Sequence, residues 1–393
     1  MKPIITIVCE SGGFNLGDQA ITQALSEYLS NFYDVRLFSL SASGHSMAGS
    51  KLLGWKNSKK ASLFKRIASL TSVKLRARIR WYLLGERRKY YRLFESEIAQ
   101  SSAIVIGGGQ LVKNNTALFC DRLAVIARVA DSRNKPYFFV GVGVDRRMSI
   151  FTWKIVKNAI HGAKSIVLRD ALSKGRILYQ YPKIKSCHVS HDLAFALGDM
   201  RSLPHSRETE YAINVMNAPL MIGALPKKLK LSVEDIRNMW FSMCVLAVGR
   251  GAAPVIFTTG SPEDLLEAQN LQIRLRTEAS ISLDLVHPGS VDELRSQLSQ
   301  FRNVLASRMH AGVLAYISGC NTICLNWDDK VKGVWALVKE ESRVIEIESL
   351  TGPQGGACLQ KIFAESRVPT AEKISEVSCT GLVRLRSELS AVI

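Results

Sequence analysis

The 393-residue chain carries 52 lysines and arginines against 34 acids, a formal net charge of +18. Its 47% hydrophobic and 22% charged residues are those of a globular protein and exclude a disordered or fibrous chain. The length exceeds one comfortable core, which implies two domains, and the positive charge implies an anionic partner: nucleic acid, acidic lipid, or an anionic substrate or polymer.

The chain opens on a strand-like run, IITIVC (4–9), then the loop SGGFNLGD and the amphipathic stretch 17–30. Gly12, Gly13 and Gly17 let the backbone approach a ligand and aim N–H groups at it beside a helix N-terminus. The spacing matches neither a dinucleotide fingerprint nor a P-loop. Asp18 reads equally well as the N-cap of the helix, whereas Asn15 stands three residues early for that role.

The segment 45–93 reads as a basic helical insertion. Between Lys51 and Arg92, fourteen Lys or Arg face one acid, Glu86, so this stretch alone holds +13 of the net charge. Cations interleaved with Leu, Ile, Trp and Tyr suit a helix lying on anionic lipid, and equally a solvated arm or a subunit contact. Trp81, Tyr82, Tyr90 and Tyr91 could stack bases, but no recognised nucleic-acid motif accompanies them.

Further on, AIVIGGGQLV (103–112) is a strand running into three glycines. There Gly108 and Gly109 either admit a ligand or close-pack the strand end on a helix. YFFVGVGV (137–144), SIVLRD (165–170) and SCHVSHDLAFAL (186–197) continue the series, with helices over 117–131 and 152–162. GDMRSLPHSRETE reads as a linker. Beyond it come YAINVM (211–216), APVIFTTG (253–260), ISLDLVHPG (281–289), NVLASRMHAG (303–312) and NTICLNWDD (321–329), with helices over 264–278 and 291–300. Short continuous apolar runs alternating with helices describe buried parallel strands in α/β layers.

Two doubly wound domains follow: residues 1–204, bearing the insertion, and 205–356, with a helical tail 357–393 placed to cross back onto the first. In such sheets, ligands bind outside the carboxyl ends of the strands. Arg169 stands at one such end, as an anion clamp or as the ion-pair partner of Asp170. Arg308 and His310, in SRMHAGVLAYISG (307–319), put an anion clamp beside a group that titrates near neutrality, which suits acid/base work on an anionic substrate. Lys330 and Lys332, after the next strand, could each reach the same anion.

His188 and His191 lack a third ligand by spacing, so no metal site is expected. The eight cysteines include no C-x-x-C and read as reduced thiols of a cytosolic protein. The N-terminus lacks the marks of a cleaved signal, and no apolar run reaches the ~18 residues of a membrane span.

Taken together, GGFNLGDQAI, VIGGGQLV, GVGV, VLRD, HDLAFAL and above all SRMHAGVLAYISGCNTICLNWDDKVKG resemble the polysaccharide pyruvyltransferase family over most of the chain outside the basic insertion and the tail. Met309 stands where the family usually has Leu, and Trp327 where it usually has Tyr, which removes a hydroxyl. The resemblance implies an α/β fold of two Rossmann-like domains in a glycosyltransferase B-type arrangement, with the active site in the interdomain cleft. It implies transfer of a pyruvyl group from phosphoenolpyruvate to two hydroxyls of a sugar in a cell-surface polysaccharide or its lipid-linked precursor. The product is a cyclic ketal and phosphate is released, with no cofactor and no nucleic acid.

By the same resemblance Asn15, Asp18 and His310 are catalytic, and Arg169, Arg308, Lys330, Gly108 and Gly109 hold substrate. The expected setting is cytoplasmic, with peripheral contact to an anionic membrane through 51–92. The alternative on the same architecture is a glycosyltransferase that uses a sugar nucleotide.

Overall fold

The computed structural model describes residues 2–10, 13–41, 73–115, 118–198, 209–226, 229–351 and 368–393. Gly12, the basic residues of 51–72, the expected domain boundary near 205 and the start of the tail lie outside them.

Two six-stranded, all-parallel sheets form the frame. In the first, the order is β2 (Asp34–Ser39), β1 (Ile4–Cys9), β3 (Ala103–Gly107), β4 (Tyr137–Val142), β5 (Ser165–Leu168) and β6 (Cys187–Val189). In the second it is β12 (Val344–Glu346), β11 (Asn321–Asn326), β10 (Phe301–Ala306), β7 (Thr209–Asn214), β8 (Val255–Phe257) and β9 (Leu285–Val286). The central strands β3 and β4 are buried at every residue, as continuous apolar runs covered by helices on both faces must be. Chain order reverses beside β1 in one sheet and beside β7 in the other, and both switch points face the cleft between the lobes.

The first helix, Leu16–Ser30, buries Leu16, Ala20, Ile21, Ala24, Leu25 and Leu29 along one stripe. Its N-terminus is tied to the second lobe: the Leu16 N–H donates to the Thr259 carbonyl at 3.0 Å. Gly260 makes room for that contact, since a Cβ there would lie 2.3 Å from the Phe14 carbonyl oxygen. After β6 the run HDLAFAL is not strand. Leu193–Leu197 form a 3₁₀ turn whose Phe195 meets Tyr316 and Trp335 of the second lobe edge-on. An apolar run this short reads alike as a strand or as a buried turn, and here it is the wedge between the lobes.

The last helix, Ala371–Ser390, lies against the first lobe: Ser378 Oγ donates to the Phe195 carbonyl, and the Arg386 guanidinium covers the Phe32 ring. The described part of the basic segment forms the helices Val73–Leu83 and Glu86–Glu97. Trp81 and Tyr90 are core residues there, packed with Phe38, Phe94 and the Arg122 guanidinium, so two of the four aromatics noted for base stacking are not available to a nucleic acid. Arg80, Arg87, Arg88, Lys89 and Arg92 are exposed. Among the described residues no helix is long and apolar enough to cross a membrane.

Candidate active site

Asn15, Asp18, Gln110, Lys113, Arg169, Arg308, His310, Trp327 and Lys330 line one cavity of about 130 Å³ between the lobes. Each side chain comes from the segment that follows the carboxyl end of a strand: the loop itself, as for Gln110 and Lys113, or the cap and first turn of the next helix.

The first-lobe floor is set by a cap. Asn15, not Asp18, is the N-cap of the first helix: its Oδ1 accepts the Gly17 N–H at 3.1 Å. The helix begins at Leu16, one residue earlier than the sequence suggests, which is why Asn15 is in place to cap it. The Asn15 Nδ2 donates to Asp18 Oδ2 at 2.9 Å and fixes that carboxylate toward the cavity. Gly108 and Gly109 support this corner from behind and do not line the cavity. Both take left-handed φ (69° and 72°), and a Cβ on Gly108 would sit 1.8 Å from Ile21 Cγ2. Gly109 reaches the site through Asp18, whose Oδ1 would lie 3.1 Å from a Cβ there.

The second lobe supplies Arg308 and His310. Arg308 is the N-cap residue of the helix Met309–Ile317, and its N–H donates to Asn214 Oδ1 at the end of β7. Its Nε and Nη2 each donate to the fully buried Asp264 carboxylate at 2.8 Å, a bidentate pair that fixes the plane of the guanidinium. The other edge faces the cavity. His310 is buried against Gly17: a Cβ on Gly17 would lie 2.2 Å from His310 Nδ1, so only glycine fits there. Its Nε2 stands 3.4 Å from Asp192 Oδ2.

Asp192 is the residue beside His310 and Arg169 that sequence reasoning passed over. Its Oδ1 accepts the Ala194 N–H and starts the 3₁₀ turn, while Oδ2 faces both His310 and the Arg169 Nη1, 3.6 Å away. Burial alone would raise its pKa. The charge and hydrogen bond of His310, with Arg169, outweigh that and hold the carboxyl below the usual range. The signal was available, since Asp192 follows β6 inside HDLAFAL.

Arg169 is 2% exposed, and both acids beside it are accounted for. Asp170 Oδ2 is 3.9 Å from the Arg169 Nε, but that carboxylate caps the next helix through the Ser173 N–H and Oγ. The Arg169 Nε has no hydrogen-bond partner among the described residues, in a space that exists only because residue 143 is glycine. A buried guanidinium so placed calls for an anion.

Lys330 lies 3.8 Å from Asp328 and 4.6 Å from the Trp327 ring centroid. Enclosure in the cavity, reinforced by Arg169 and Arg308 and only partly countered by Asp328 and Asp18, lowers its pKa to about 8. Lys332 points elsewhere, 3.9 Å from Glu346 on the exposed face. The Trp327 indole N–H donates to the Ser307 carbonyl, so this ring braces the ends of β10 and β11. Among the described residues no cluster of three His, Cys, Asp or Glu side chains is placed to hold a metal ion.

The whole chain superimposes on UDP-GlcNAc 2-epimerase from Methanocaldococcus jannaschii with a TM-score of 0.58 at 10% identity, covering 100% of both chains. The UDP-GlcNAc 2-epimerase from Neisseria meningitidis gives 0.53 at 11% identity, again covering 100% of both. At such identity the likeness is one of fold, the B-type arrangement of two Rossmann-like domains. No curated protein matches the chain in sequence. The sequence profile of the polysaccharide pyruvyl transferases matches residues 15–329, from the cap of the first helix to the turn that carries Lys330. That span holds nearly every residue of the cavity, and the chain is a transferase of the polysaccharide pyruvyl transferase family.

Proposed function

We propose that the protein moves a pyruvyl group from phosphoenolpyruvate to two hydroxyls of one sugar, in a cell-surface polysaccharide or its lipid-linked precursor. The observation that carries this reading is the convergence of Arg169, Arg308 and Lys330 on one small cavity that also holds His310. A donor with both a carboxylate and a phosphate needs several cations around a compact space.

Arg308 and Arg169 clamp the donor and Lys330 holds its phosphate. His310, as imidazolium braced by Asp192, gives its proton to the methylene carbon, and C2 becomes oxocarbenium-like. One sugar hydroxyl adds to C2 and releases its proton to Asp18, which Asn15 orients. The second hydroxyl displaces the phosphate, and its proton leaves with that phosphate or returns to His310. The products are the ketal and inorganic phosphate. The exposed cations of the basic helices suit peripheral contact with an anionic membrane on the cytoplasmic side, where a lipid-linked acceptor would be presented.

The acceptor is not needed for the first test. Phosphoenolpyruvate at about 100 times its dissociation constant stabilises the protein by roughly 2.7 kcal/mol, a visible shift in Tm. The shift disappears in Arg308→Ala. A shift with sugar nucleotides instead would favour a glycosyltransferase and defeat the reading.

Lys330 sets the pH dependence of donor binding. Its charge is present below pH 8 and lost above it, and the anionic donor binds the charged form. Thus the affinity for phosphoenolpyruvate falls as pH rises through about 8, and donor binding above that pH takes up a proton. Lys330→Arg, charged throughout, abolishes this fall in affinity. An unchanged fall in that variant would assign the titration to another group.

A further inference from the structure

The inner cavity opens, past Gln110, Arg169 and Lys330, into a second chamber of about 350 Å³. Its first-lobe wall is the loop after β4, with Asp145, Arg146 and Arg147, and the helix Ala171–Gln180, with Arg176. Facing them are Asp329 and the helix Ala218–Ala224.

The hydrogen-bonding groups here are unequal. Each carboxylate in the chamber already accepts from its own chain or from an arginine: Asp145 from the Arg147 N–H, Asp170 from Ser173, Asp328 from the Lys330 N–H. Asp329 alone serves two guanidinia, Arg146 at 3.4 Å and Arg176 at 3.6 Å. Arg147 has no acid within 4 Å among the described residues and makes only a 3.3 Å bond to the Gly223 carbonyl. Two guanidinia thus share one carboxylate and a third has none; even with Arg146 and Arg176 also donating to the Ala224 and Val144 carbonyls, the chamber offers N–H donors in excess of acceptors. A neutral saccharide brings donors and acceptors in equal measure, whereas a phosphate or pyrophosphate ester brings acceptors only. Leu172 and Leu220, each about half exposed, flank this set and give an apolar wall for a sugar ring or an alkyl chain.

We infer that this chamber is a second anion subsite, which binds a phosphate or pyrophosphate group carried by the acceptor through Arg146, Arg147 and Arg176. The inference rests on the donor occupying the inner cavity. Phosphate on the acceptor then anchors it from the solvent side while its sugar reaches inward past Gln110. The arginine set decides which acceptors are used, and takes no part in proton transfer.

The test uses pyrophosphate as the probe, titrated calorimetrically into the full-length protein saturated with phosphoenolpyruvate. One pyrophosphate binds beside the donor. Arg147→Gln and Arg176→Gln each weaken it by about tenfold or more, the effect of losing one charge-assisted contact, and leave donor affinity unchanged; Tm holds in Arg147→Gln, whose side chain gives up only the Gly223 carbonyl. Unaltered pyrophosphate affinity in both variants would overturn the subsite. So would competition between pyrophosphate and phosphoenolpyruvate with loss of both in Arg308→Ala, because the anion would then be in the inner cavity. If phosphoenolpyruvate itself fails to bind, the donor reading falls. The subsite still stands if pyrophosphate binds Arg308→Ala and is weakened by the added Arg147→Gln. Vesicles carrying a pyrophosphate lipid, run beside soluble pyrophosphate, separate a lipid-borne group from a free one.

Discussion

Replacement of His310 by Gln lowers turnover by roughly two to four orders of magnitude, the range expected when a positioned general acid is lost, and leaves the affinity for phosphoenolpyruvate within a few-fold. Glutamine keeps about the same reach and can still donate to Asp192, so Tm stays near that of the parent and the loss belongs to the chemistry. The argument rests on which groups touch the ring. Asp192 is buried, its carboxyl held below the usual range, and 3.4 Å from Nε2, where it would stabilise the imidazolium that the proposed mechanism requires. Gly17 presses on the opposite side and holds the ring in one orientation. Measured as separate kcat and KM for the donor, the substitution moves kcat. If kcat stays within about tenfold, the proton comes from another group, with Lys330 the next in reach.

How far the site could be read from the sequence follows the same physics that builds it. The central strands are continuous apolar runs because both faces are covered, and IITIVC was legible residue for residue. Edge strands β2 and β12 are short and carry exposed residues, so they leave no such run and were not read. Arg169, Arg308, His310 and Lys330 were legible because they follow strands in a parallel sheet, where ligands bind. Their partners were harder. Asp192 lies 118 residues from His310, and Asp264 lies 44 residues from Arg308, where it passes for a helix-start acid. Long-range pairs, between the lobes or within one, have no local spacing. The cap at Asn15 was harder for a smaller reason: Asn15 and Asp18 are both cap-type residues three apart, and a helix start moved by three residues exchanges the cap and the first-turn acid.

Asp264→Ala gives the largest expected loss of stability, about 3 kcal/mol by urea denaturation. Asp264 is fully buried and receives both Nε and Nη2 of Arg308 as well as the Asn217 N–H. Removing it leaves a guanidinium without its counter-charge and a helix-cap N–H without an acceptor, and breaking such a buried pair costs about 3–5 kcal/mol. The lower end applies because the Arg308 side chain keeps 18% of its surface open to the cavity, where water or a donor can answer part of the charge. The same residue pair links stability to binding. With one edge held by Asp264, the guanidinium offers the other to an anion without spending freedom on binding; without Asp264 it must be ordered by the ligand itself, so KM for phosphoenolpyruvate rises. At the same donor concentration the weaker binding makes phosphoenolpyruvate raise the Tm of Asp264→Ala by less than it raises that of the parent protein. A loss below about 1 kcal/mol, or a donor-induced Tm rise equal to the parent's, would show that Arg308 is not braced through Asp264.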